Sequence, residues 1–190
     1  MLSGVEIKRK IVHLATLVIP FGYALTSKEG VLTFLIPLSL GLLFVDILRH
    51  FHGGVAFLFD RLFFGRVLRD EEKHTLMGST YFLLACAMVI SLFPKTIAIA
   101  SLLILILSDT CAALVGKGIG KVAIGRKTLE GSGAFLFSAL LIVWAYPGLE
   151  RFSGSLGALG ATLVELLPVP IDDNLTIPFV AASLMLILGA

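Results

Sequence analysis

Several groups of residues in this 190-residue chain combine carboxylates, bases and glycines at spacings that suit chemistry on phosphate groups. The richest is Ser108–Ser132, SDTCAALVGKGIGKVAIGRKTLEGS. Asp109, Ala112, Ala113 and Gly116 follow the spacing i, i+3, i+4, i+7, so one helical face carries an acid followed by small residues. Plain helix packing, with Asp109 in a buried ion pair, accounts for that face. So does an acid that holds Mg²⁺ while the small residues let another helix or a nucleotide come close. The following loop favours the second account. Gly116, Gly118, Gly120 and Gly125 let backbone N–H groups approach phosphate oxygens, and Lys117, Lys121, Arg126 and Lys127 supply charge. Lipid headgroups are the alternative ligands of those bases. GKVAIGRKT (120–128) is one residue away from the P-loop pattern, because Arg126 is inserted, and no strand pattern precedes it. Without that strand the loop lacks the P-loop geometry, and the P-loop is rejected.

Smaller groups accompany it. In EIKRKIVHL, Glu6, Lys10 and His13 fall at i, i+4, i+7 with Arg9 beside them. They anchor a helix end at a membrane, or Arg9, Lys10 and His13 face the same site as Asp109. In PVPIDDNLTIPF, Asp172, Asp173 and Asn174 precede an apolar run, and one of them caps the next helix. Two adjacent carboxylates between prolines are also oxygen ligands for a divalent cation. Ser153, Gly157, Ala161 and Glu165 form a stripe with four-residue spacing, which suits close helix packing and leaves Glu165 a supporting role. Asp46 has Arg49 at i+3, a local ion pair.

The elements that must position these groups are membrane helices. The chain is 57% hydrophobic and 15% charged, with mean hydropathy +1.00, whereas soluble domains carry about 25% charged residues. Apolar runs predict an all-α membrane protein of one domain, residues 1–190, with spans near 9–27, 31–48, 75–93, 96–116, 130–147, 153–168 and 175–190. The last two are short. An interfacial helix is expected between the second and third, with Phe59, Leu62, Phe63 and Val67 on its apolar face and Asp60, Arg61, Arg66 and Arg69 interspersed. The first span follows EIKRK directly, without a cleavage site, and reads as a retained span. Of the 15 lysines and arginines, only Lys28, Lys95 and Arg151 fall on the side opposite the motifs. That bias places the N-terminus and the motifs in the cytoplasm. The acids gather on the same side, which suits a surface-facing site rather than a transport path with polar groups at the midplane. A net charge of +2 gives no ground for a nucleic-acid partner. Cys86 and Cys111 lie in apolar runs and read as inert buried thiols.

The order of these motifs, RKxxH (9–13), HTLMGSTYFLLA (74–85), SDTCAALVGKGIGK (108–121), RKTLEGS (126–132) and IDDNLTIP (171–178), resembles the diacylglycerol/polyprenol kinase family. That family comprises dolichol, phytol and farnesol kinases and CTP-dependent diacylglycerol kinase. The block around Asp109 is the most specific part, and it is also similar to phosphatidate cytidylyltransferase. The resemblance implies a multi-span enzyme that phosphorylates a lipid alcohol, a prenyl alcohol or diacylglycerol, with a nucleoside triphosphate, characteristically CTP. The combined expectation assigns Mg²⁺ to Asp109, Asp172 and Asp173. It assigns the nucleotide to Arg9, Lys10, Gly116, Lys117, Gly120, Lys121, Thr128 and Gly131, and the lipid to His13 and Asn174. Asp109, Lys127 and Glu130 carry catalysis, with Asp109, Glu130 or His13 accepting the hydroxyl proton. The alternatives are a cytidylyltransferase that makes a CDP-lipid and, in another class, a small-solute transporter. A homo-oligomer is left open.

Overall fold

The computed structural model describes residues 4–59, 61, 75–168 and 170–189, and the chain in it is mostly helical. In order, the elements are α1 (Gly4–Ala15), α2 (Val18–Leu25), α3 (Lys28–Phe51), α4 (Gly53–Phe59), α5 (Gly78–Leu92), α6 (Lys95–Leu103), a π-turn (Ile104–Ser108), α7 (Asp109–Ile119), β1 (Ala123–Ile124), β2 (Lys127–Thr128), α8 (Leu129–Ala145), α9 (Arg151–Leu166) and α10 (Asp173–Ile187). Each of the seven predicted spans meets a helical segment. Two helices are long and apolar enough to cross a membrane: α3, and the continuous Lys95–Ile119 made of α6, the π-turn and α7. The others are shorter. Most of the expected interfacial helix, including Asp60, Leu62, Phe63, Arg66, Val67 and Arg69, lies outside the described residues.

The Lys95–Ile119 helix is the axis of the molecule. Its most apolar stretch is 72% buried, whereas that of α3 is 17% buried. α10 packs on α5, α6 and α9, and α8 packs on α7 and α9. Small residues allow the close α9–α10 approach: a Cβ on Gly157 would stand 2.9 Å from the Ala181 carbonyl oxygen.

The first predicted span is broken between α1 and α2, and Pro20 is the reason. A proline has no N–H for the carbonyl four residues back and clashes with it. The Thr16 carbonyl instead accepts from Ile19 N at 2.9 Å, and the chain tightens so that Thr16 N and Leu17 N donate to His13 O and Leu14 O at 3.1 Å each. α1 thus ends just past His13 and is aimed independently of α2.

The two ends of the bundle use their bases differently. On the side with three bases, Lys28 Nζ donates to Ser91 O (2.5 Å), Lys95 Nζ donates to Thr26 O (2.9 Å), and the Arg151 guanidinium lies over the Trp144 ring at 4.9 Å. These are helix-end and aromatic anchors. At the other end the bases meet carboxylates. The Asp46–Arg49 pair is present there, with Arg49 Nε at 2.5 Å from Asp46 Oδ1. Asp46 is fully buried and does more than pair locally: its Oδ2 accepts from Met77 N (2.8 Å) and Thr80 Oγ1 (2.6 Å), which fixes the start of α5 against α3.

Candidate functional site

Asp109 opens α7 immediately after the π-turn, a local widening of the helix that resets which face the next residue occupies. Its Oδ2 accepts from Lys10 Nζ at 2.5 Å, and the same ammonium reaches the Asp109 carbonyl oxygen at 3.2 Å. His13 Nε2 lies 3.6 Å from Asp109 Oδ2, and the Phe82 ring meets the imidazole edge-on at 5.7 Å. Lys10 and His13, which fall at i and i+3, therefore both turn to a partner 99 positions away from Lys10. Two of the three bases expected to face the Asp109 site, Lys10 and His13, thus meet Asp109.

The glycine- and lysine-rich loop is a hairpin. Ile124 pairs with Lys127 and Ala123 with Thr128, antiparallel, around Gly125–Arg126. Gly125 has φ +58°, and Arg126 has negative φ. Positive φ at the first turn position alone is the type II′ geometry, which calls for glycine there. Among the described residues the loop has antiparallel strands in place of the P-loop's parallel strand, and its glycines also serve packing. A Cβ on Gly116 would stand 2.8 Å from Thr128 Oγ1, and one on Gly131 would stand 2.9 Å from the Ala112 carbonyl oxygen. A Cβ on Gly120 would collide with the Gly116 carbonyl oxygen and with Thr128. These glycines make room for the Thr128 side chain, whose Oγ1 accepts from Gly131 N (3.1 Å) and caps α8. Gly118 faces open space. Gly116→Ala is therefore expected to lower stability by about 1–3 kcal/mol through overpacking. Gly118→Ala is expected to raise it by up to about 1 kcal/mol through helix propensity. Thermal unfolding of the two variants in detergent checks the contrast, and equal effects would refute the packing role.

The hairpin folds back along α7 and delivers Lys127. Its Nζ lies 2.7 Å from Asp173 Oδ2, on the first residue of α10, and 3.0 Å from Glu165 Oε1, in the last turn of α9. Ser132 Oγ donates to the other Glu165 oxygen at 2.7 Å. Burial alone would push the Lys127 ammonium down, but Asp173 and then Glu165 outweigh burial and hold its pKa above the usual lysine value. Lys127 also acts electrostatically on Asp109, and Asp173 stands within electrostatic reach of Asp109 and Asp172. Five elements thus converge: α1, α7, the hairpin, the end of α9 and the start of α10.

Of the residues expected at a site, Lys10, His13, Asp109, Lys127 and Asp173 come together. Asp172 caps α10, its Oδ1 accepting from Asn174 N (2.9 Å) and Asn174 Nδ2 (2.8 Å), so both side chains are engaged at the helix start. Glu130 is turned away. Its carboxylate accepts from Val122 N at 3.2 and 3.3 Å and braces the base of the hairpin. Lys117 and Lys121 are exposed along the end of α7 and the hairpin, and Arg9 is half-buried in α1. Gly116, Gly120, Thr128 and Gly131 form the packing core of the hairpin. Two members were assigned no ligand by sequence: Ser132, and Glu165, only 3% exposed. The signal for Glu165 was its place in an otherwise apolar helix behind a stripe of small residues.

Among the described residues no three His, Cys, Asp or Glu side chains are grouped to hold a metal ion. Mg²⁺ that arrives with phosphates takes only one or two carboxylates and completes its shell with phosphate and water oxygens. Asp109 and Asp173, each paired with a lysine, fit that role and do not fit a resident ion.

A helical bundle with membrane-length helices and a convergent carboxylate–lysine cluster at one end is the class that fold and site define. Two findings refine it. The chain is 34% identical to an uncharacterized protein of Rickettsia prowazekii over 183 residues, covering 91% of this chain and 89% of that one. It is 29% identical to the CTP-dependent diacylglycerol kinase 1 of Schizosaccharomyces pombe over 163 residues, 74% of this chain and 72% of the kinase. With the Saccharomyces cerevisiae protein of the same name the identity is 27% over 64% of this chain, and the match spans 51% of the yeast chain. No family model and no solved structure matches the sequence. The chain belongs to the family of the Rickettsia protein. CTP-dependent diacylglycerol kinases are its distant homologues and support a lipid kinase at family level.

Proposed function

We propose that the protein is a lipid-alcohol kinase that moves the γ-phosphoryl group of CTP to the hydroxyl of a prenyl alcohol or diacylglycerol at the cytoplasmic face of a membrane. The observation that carries this reading is the paired arrangement Lys10–Asp109 and Lys127–Asp173 at one end of an apolar bundle. Phosphoryl transfer needs little covalent chemistry from the protein; it needs positioning and neutralisation of phosphate charge. Lys10 and Lys127 each exchange an aspartate partner for phosphate oxygens, with Arg9, Lys117 and Lys121 on the approach. Asp109 and Asp173 would hold Mg²⁺, which supplies neutralisation of the phosphate oxygens when bound. The lipid oxygen attacks the γ-phosphorus, the bond to the β-phosphate oxygen breaks, and CDP leaves. The hydroxyl proton passes to the His13–Asp109 pair, where His13 Nε2 has no hydrogen-bond partner among the described residues. Glu130, engaged by Val122, holds the hairpin and takes no proton.

Purified protein incubated with labelled CTP and a panel of lipid alcohols is expected to yield CDP and a phospholipid. Pyrophosphate with a CDP-lipid, or no transfer to any alcohol, would overturn the assignment. The orientation that goes with it has seven crossings with the N-terminus and the hairpin in the cytoplasm. A cysteine at Val122, which is 51% exposed at the hairpin base, should resist an impermeant thiol reagent in intact cells and react after lysis. Labelling in intact cells would reverse the topology.

A further inference from the structure

Lys127 has two carboxylate partners that are not equivalent. Asp173 is 36% exposed and engages Lys127 through one oxygen. Glu165 is 3% exposed, and both of its oxygens are committed, Oε1 to Lys127 and Oε2 to Ser132. Asp173 can swing toward an incoming cation at little expense. Glu165 can do so only by breaking two bonds and moving a buried charge. Lys127 sits on a two-residue strand, so the short hairpin alone does not hold its long side chain in one direction.

Resting on the kinase reading above, we infer that Glu165 is a positioning residue: it keeps Lys127 aimed at the nucleotide phosphates when Asp173 leaves for the metal. The two acids then divide the work, Asp173 as the exchangeable partner and Glu165, clamped by Ser132, as the permanent one. A merely electrostatic role makes the opposite prediction. Removing a negative charge from a triphosphate site would tighten nucleotide binding by relieving repulsion, whereas removing the anchor of Lys127 weakens it.

The test measures CTP binding calorimetrically, without lipid acceptor, at saturating Mg²⁺, together with the Mg²⁺ concentration for half-maximal activity. Glu165→Gln keeps the shape but replaces the charge-assisted bond to Lys127 with a weaker neutral one, so the anchor of Lys127 is loosened. It is expected to weaken CTP binding by about tenfold or more, the usual effect of removing an outer partner of a ligating group, and to leave the Mg²⁺ requirement unchanged. Asp173→Asn is expected to raise the Mg²⁺ requirement. Ser132→Ala, which leaves the charge and loosens its clamp, is expected to weaken CTP binding less than Glu165→Gln. It serves as the readout if Glu165→Gln does not fold. Unchanged or tighter CTP binding in both Glu165→Gln and Ser132→Ala, or a Mg²⁺ shift in Glu165→Gln equal to that of Asp173→Asn, would overturn the inference. Failure of the unaltered protein to bind CTP would instead remove the kinase reading on which it rests.

Discussion

Asp109→Asn is expected to lower turnover by a hundredfold or more while the protein remains folded. Asn keeps the shape of the side chain and removes its charge. Lys10 retains an acceptor, because its ammonium also reaches the Asp109 carbonyl oxygen at 3.2 Å. With 14% of the Lys10 side chain exposed, the ammonium also keeps some contact with water. What is lost is the charge that faces the His13 imidazole and would meet the cation, and a hundredfold corresponds to about 3 kcal/mol of transition-state stabilisation. If Asp109 served only the ion pair, activity would fall only with the folded fraction, whatever stability the change of charge beside Lys10 costs. Thermal unfolding in detergent beside CTP-dependent phosphorylation of the best lipid separates the two. A variant that is both stable and active would refute the role given to Asp109.

Chelation is expected to abolish activity altogether, and Mg²⁺ to restore it. The directly bonded cluster holds Asp109, Glu165 and Asp173 against Lys10 and Lys127. Among the described residues of that cluster carboxylates outnumber lysines, and a bound triphosphate would add negative charge that a divalent cation would offset. The same geometry predicts that chelation leaves thermal stability unchanged. No three ligating side chains are grouped among the described residues, and both candidate ligands have lysine partners without the ion. Full activity in EDTA would remove Asp109 and Asp173 from the metal role. A large fall in unfolding temperature on chelation would point to a resident ion instead.

The sequence by itself determined the mostly helical, apolar character of the molecule and where along the chain its helical segments fall. Long apolar runs satisfy their backbone internally as helices, and the bases and acids fall largely in the segments between them. It also carried local pairs: Asp46 with Arg49 at i+3, and a cap for α10 among Asp172, Asp173 and Asn174, which the fold assigns to Asp172. The break after His13 interrupts the single span expected at 9–27, because Pro20 offers no N–H to the Thr16 carbonyl.

Partnerships across the bundle were decided only by the tertiary structure. Lys10 is brought by the fold to the carboxylate of Asp109, 99 positions away, which no local spacing in the sequence indicates. Lys127 adjoins an acid in RKTLEGS, yet its carboxylates are Glu165 and Asp173, while Glu130 turns to Val122. The glycines of the loop look in sequence like a phosphate cradle. In the fold Gly116, Gly120 and Gly131 surround Thr128, because the hairpin returns along α7 and leaves no space there for a Cβ. The physical reason is common to all of these. Helical and turn preferences are set by neighbours within about one turn of chain, which a sequence displays. Which two charges share a buried space depends on how far each helix runs, where it breaks and how closely its small residues let it approach the next, and these are properties of the packed bundle.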